Sequence, residues 1–226
     1  MTTEFFYKRI CKIATLCITV SFLCFSFAYA AFLSSATVVD TAKTFYFLVS
    51  PSTHLEVSAH NAAQIGGAGY LLHENGRDYA ALSVYLTDTA AAAVSTNLTD
   101  TPTQIIPLES NKLYLKTRRQ KQHETIYKNA FSCLVDCIRV LDIEISRVER
   151  GATQQSSKRI LKTLENAFAF LSKEYKNGFA AFATVCKNAA NRLSVFTQST
   201  VYIEDLRYLQ CELCVSYLRL SEDFRV

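Results

Sequence analysis

A chain of 226 residues has room for one or two domains beyond any targeting segment. Half of it is hydrophobic, with three prolines and no tryptophan, which excludes a disordered or low-complexity protein. The net charge of +4 is unevenly spread, at +2 for Met1–Lys12, −5 for Ser34–Ser110 and +7 for Asn111–Val226, so an acidic unit and a basic unit should meet near Ser110.

The first twelve residues read as a short basic tail, with Lys8, Arg9 and Lys12. Ile13–Leu33 is almost wholly apolar, and about twenty such residues match the ~30 Å hydrocarbon core of a bilayer. The preceding cations place the amino terminus in the cytoplasm and the bulk of the chain outside it, in a single-pass arrangement at the cell membrane. A cleaved signal peptide is the competing reading, with Ala28-Tyr29-Ala30 as its small-x-small site. The apolar run continues past that site, which favours a retained anchor. Ser34–Lys43 then reads as a tether.

Residues 44–110 repeat themselves. Laying Thr44–Leu72 over Asp78–Ile106 sets Phe45–Val49 on Tyr79–Ser83, two uncharged runs that each open on an aromatic. Thr53 falls on Thr87, each opening a helix-compatible run, Leu55–Ile65 and Ala90–Leu98. Tyr70-Leu71-Leu72 falls on Gln104-Ile105-Ile106. Each copy predicts strand, helix, strand, joined through the polar segment His73–Asp78. Such a doubled unit forms one four-stranded sheet with both helices on one face, leaving the other face open for a partner.

This βαββαβ pattern resembles the SPOR (sporulation-related repeat) domain of bacterial envelope proteins, a small ribonucleoprotein-like fold. The resemblance rests on Phe45–Ser50 for the first strand, Thr53-His54-Leu55-Glu56 for the helix start, Gly67–Leu72 for the turn and second strand, and Asp78–Leu98 for the third strand and second helix. It implies binding to peptidoglycan glycan strands, especially denuded ones, at division or sporulation septa. It also implies that Tyr46, Leu48 and Ser50, with Ala80, Leu82 and Val84 by the repeat offset, face the glycan. Tyr46, Ser50, Tyr70 and Tyr85 are the candidate groove residues. That face is largely apolar, whereas sugar sites combine aromatic stacking with several directed hydrogen-bonding groups. The alternative is a non-enzymatic structural or assembly protein whose apolar sheet face packs on a protein element.

Asn111–Val226 predicts an antiparallel bundle of about four helices. Ile126 to Val148 recur at three- and four-residue steps, and Gly151 stops that helix. Helices follow over Thr153–Tyr175, over Phe179–Gln198, and from near Thr200, the last with Glu204 and Asp205 in its first turn. The bundle offers docking faces for an envelope protein. The expected fold class is thus α+β: an N-terminal transmembrane helix, a SPOR-like βαββαβ domain and a C-terminal helical bundle.

Chemistry-bearing residues are sparse. Cys133 and Cys137 are one helical turn apart, and Cys211 and Cys214 are three apart on another helix. The four could converge on zinc or form bridges if those helices are neighbours. With Cys186 they read first as core fillers, leaving no metal assigned. Cys11, Cys17 and Cys24 lie in or beside the apolar segment. Gly66-Gly67-Ala68-Gly69 precedes a strand rather than opening a helix, so it forms turns and not a phosphate loop. The basic run Lys112, Lys116, Arg118, Arg119 and Lys121 reads as a solvated helix start or an attraction for anionic polymers or head groups. No nucleic acid is expected outside the cytoplasm. The histidines share no ligand spacing, no nucleophile–base set or carboxylate pair is legible, and no enzyme activity or cofactor is expected.

Overall fold

The computed structural model describes residues 37–50, 55–98 and 102–224. The chain begins with β1 (Thr37–Val39), then β2 (Thr44–Ser50), α1 (Leu55–Gln64), β3 (Tyr70–Glu74), β4 (Arg77–Tyr85), α2 (Asp88–Asn97), β5 (Gln104–Glu109) and β6 (Leu113–Leu115). The helical half comprises α3 (Arg118–Gln122), α4 (Glu124–Glu149), α5 (Gln154–Glu174), α6 (Ala180–Gln198) and α7 (Ile203–Glu222).

The larger sheet has the order β3-β4-β2-β5 with every neighbouring pair antiparallel. Asn75 and Gly76 hold left-handed conformations at φ 51° and 71°, which form the tight turn between β3 and β4. A bulge in the pairing of β2 with β4, between Leu48 and Val49, leaves Leu82 as the extra residue. On one face Leu48 and Leu82 pack with Ala62 of α1, and Val94 of α2 closes over them. The Thr87 hydroxyl caps α2 by accepting from the Ala90 N–H at 3.3 Å. On the other face Phe45, Phe47, Val49, Leu72, Ala81 and Val84 are buried in a much larger core.

That core is shared with the helices. The connections between α4, α5, α6 and α7 are only a few residues long, so successive helices run antiparallel. Thr153 caps α5 through Ser156 N–H, and Gly151 at φ 85° ends the helix before it. The α7 helix lies between the sheet and the rest of the bundle. Leu206, Leu209, Cys211, Leu213, Cys214, Val215, Tyr217 and Leu220 leave almost no side of it free of apolar burial.

Several expectations are corrected. Among the described residues the architecture is α+β with seven helices and two small sheets, and no helix is long and apolar enough to cross a membrane. The expected transmembrane helix is therefore absent from the described fold; Ile13–Leu33 itself lies outside the described residues, as do Thr53 and His54. The expected tether is partly strand, since β1 pairs antiparallel with β6, Val38 opposite Tyr114. Lys43 and Ser110 bind each other's backbone and hydroxyl at 2.8 Å, locking that segment beside the sheet. The sheet face expected to stay open is covered by α7, because its apolar residues match an apolar stripe on that helix.

Candidate binding surfaces

The four candidate groove residues do not share a surface. Tyr46 and Ser50 alternate with Phe45, Phe47 and Val49, so they lie on the Leu48 side, toward α1 and α2. Tyr85 stands opposite Tyr46 in the register and packs on that same cluster. Its hydroxyl accepts from Ser83 Oγ at 2.9 Å, and burial raises its pKa. Tyr70 belongs to the opposite face, edge-on to Tyr208 of α7 at 5.2 Å, with its pKa also raised by burial. Of the other residues implied to face a ligand, Ala80 pairs with Ser50, Leu82 sits in the bulge, and Val84 points into the core with Phe47. The bulge slips the alternation in β4 by one residue, which the repeat offset did not anticipate.

What occupies the expected binding face is Tyr217 and its neighbours. The Tyr217 ring meets Phe45 and Phe131 edge-on, at 5.4 and 4.9 Å, bridging the sheet and α4. Its hydroxyl donates to the Thr41 carbonyl at 2.5 Å, and burial pushes its pKa upward. At the amino end of α7, Arg207 Nη1 donates to the Gly66 carbonyl at 2.5 Å while Nη2 pairs with Glu149 of α4. At the other end the Asn111 N–H donates to Ser221 Oγ at 3.2 Å and the Tyr114 N–H to the Phe224 carbonyl at 3.2 Å. These bonds tie both ends of the helix to segments that flank the strands.

Beside it a cleft of about 360 Å³ remains. Both edge strands line it, with Tyr70, His73 and Glu74 from β3 and Leu108 and Glu109 from β5, and the floor is the carboxy-terminal half of α7 with Arg219 and Glu222. Polar groups dominate the lining. His73 Nδ1 lies 2.5 Å from Asp78 Oδ1 across the hairpin, where both side chains are exposed.

The cysteines do not converge as two facing pairs. Cys133 and Cys137 of α4 lie near Cys186 of α6, whereas Cys211 and Cys214 of α7 lie near one another. All five are free thiols, and among the described residues no group of three or more His, Cys, Asp or Glu is arranged to hold a metal ion. Burial pushes Cys137 and Cys186 up to about 12 and raises Cys133, Cys211 and Cys214. Deprotonation to a nucleophilic thiolate is thereby suppressed. The basic run flanks β6 and continues into α3, with Lys112 3.7 Å from Asp40 and Thr117 forming a capping box with Gln120. His60 contacts Gln64 at 3.0 Å, and His123 lies edge-on to Tyr127.

The chain matches no family model, no curated protein and no solved structure at a significant level.

Proposed function

We propose that this chain is a non-enzymatic assembly protein that works through its outer helical faces rather than through the sheet. One observation carries the reading: α7 fills the sheet face on which a βαββαβ domain would take a ligand, with Tyr217 seated against Phe45. A glycan could reach Phe45, Phe47 and Val49 only by displacing a buried helix, which would expose a large part of the core.

A second reading keeps an envelope glycan as the ligand and moves it to the cleft between the two edge strands. Tyr70 and Arg219 there supply an aromatic ring and directed donors of the kind sugars use. Sedimentation of the full chain with denuded peptidoglycan separates the readings. The assembly reading expects the protein to stay in the supernatant. Retention lost with Arg219→Ala but kept with Tyr46→Ala supports the cleft. Retention lost with Tyr46→Ala overturns both.

A further inference from the structure

Two stretches carry most of the positive charge of this protein, the run Lys112–Lys121 and the α5–α6 hairpin. Residues 151–200 carry seven Lys and Arg against two acids, a net of +5, whereas α4 and α7 each sum to −2. Between α5 and α6 runs an open groove of about 650 Å³. Its floor is built from small residues, with Ala183 and Ala190 buried and Ala169 half-buried. Its rim carries Lys173, Lys176 and Lys187, all exposed. Lys162 and Arg192 elsewhere on the hairpin are neutralised by Glu165 and Glu212, but none of the three rim lysines has an ion-pair partner among the described residues.

We infer that this groove is the docking surface for an amphipathic helix of a partner protein, one that presents an apolar ridge flanked on both sides by Asp or Glu. A floor of alanines lets a second backbone approach closely, as ridges seat into grooves between helices. The lysine rim supplies the complementary charge and fixes which helices are accepted. A flat lipid surface reaches the ammonium groups but not the recessed alanines, and a nucleic acid has no use for an apolar floor. The inference deepens the assembly reading by naming the face and the chemistry of the partner, and it rests on that reading.

The test uses the full chain and a fluorescent helical peptide with leucines along one face and glutamates on both flanks, followed by anisotropy. Saturable, salt-sensitive binding is expected. It should weaken about tenfold or more in a Lys173→Glu/Lys176→Glu/Lys187→Glu variant. Thr184→Trp, which fills the groove from an exposed position without changing charge, should weaken it as well, with the circular dichroism of both variants unchanged. Equal binding of a lysine-flanked version of the peptide, binding that survives either variant, displacement by phosphatidylglycerol vesicles or duplex DNA, or no saturable binding would overturn the inference. Retention on denuded glycan would count against the assembly reading separately, since it leaves the peptide measurement unaffected.

Discussion

The Tyr217 ring stands edge-on to Phe45, with centroids 5.4 Å apart and planes at 77°, although the two residues belong to opposite ends of the chain. This contact joins the first long strand to the last helix. Replacing Tyr217 by Phe keeps the ring and removes only the bond to the Thr41 carbonyl, so a loss of about 0.5–1.5 kcal/mol is expected in urea denaturation. Tyr217→Ala also empties the space between Phe45 and Phe131 and should cost about 3–5 kcal/mol. Equal losses for the two variants would mean that the ring packing contributes little.

The turn before β3 gives a second comparison. Gly69 and Gly76 both sit at positive φ, 60° and 71°. A Cβ on Gly76 meets nothing within 4 Å, whereas one on Gly69 would lie 2.6 Å from the Ala59 carbonyl oxygen. Gly76→Ala should therefore show only the left-handed backbone penalty of roughly 1–2 kcal/mol. Gly69→Ala should cost clearly more, because the obstacle is helix backbone that cannot swing aside. Thermal denaturation of the two variants side by side measures the difference.

The thiols predict a graded reactivity. Cys133 is half-buried, while Cys137, Cys186, Cys211 and Cys214 are buried. Alkylation of the native protein at mildly alkaline pH, mapped by mass spectrometry, should label Cys133 first among these five. The other four should react only after denaturation, since burial holds them as thiols. Rapid native labelling of Cys211 or Cys214 would show that α7 leaves the core.

Asp142 introduces a dependence on pH. Its carboxyl lies part-buried between α4 and α7, where desolvation raises its pKa even though Gln210 Nε2 donates to it at 2.9 Å. Glu149 adds to the rise, and the hydrogen bond opposes it. The native state thus holds this proton at a pH where the unfolded chain has released it. The stability the group contributes is present below its unfolded pKa and is lost as the pH rises through its folded value. Asp142→Asn keeps an acceptor for Gln210 and removes the titration. Its stability should fall less than that of the parent chain as the pH is raised from about 4 to 6. Matching slopes would mean that Asp142 is not the group responsible.

Much of the local structure was legible in the sequence, and the reasons are specific. Thr153, Gly151 and Glu204 mark helix ends because capping and dipole effects are local to a turn, and the observed ends fall beside them. The internal repeat gives the strand and helix spacing of residues 44–106 because burial on a sheet or helix imposes its own period. What was not legible depends on distant partners. The β1 and β6 strands are three residues each, too short to show alternation, and their pairing is set by Leu113 and Leu115 entering the core. The extra residue at Leu82 reverses which side chains face which way, and no local signal distinguishes a bulge from a regular strand. The fate of the open sheet face did leave a trace. Cys211, Leu213, Cys214, Val215 and Tyr217 make α7 apolar over more of its circumference than a helix covered on one side requires, and that excess points to burial between two layers.

The central claim is that α7 makes one core of the sheet and the bundle. Native-state hydrogen exchange in increasing urea, read by mass spectrometry, tests it most directly. The account predicts that amides of β2 and β4 lose protection together with those of α4 and α7, at one common free energy. Strands β2 and β4 staying protected at urea concentrations where α7 already exchanges freely would contradict it.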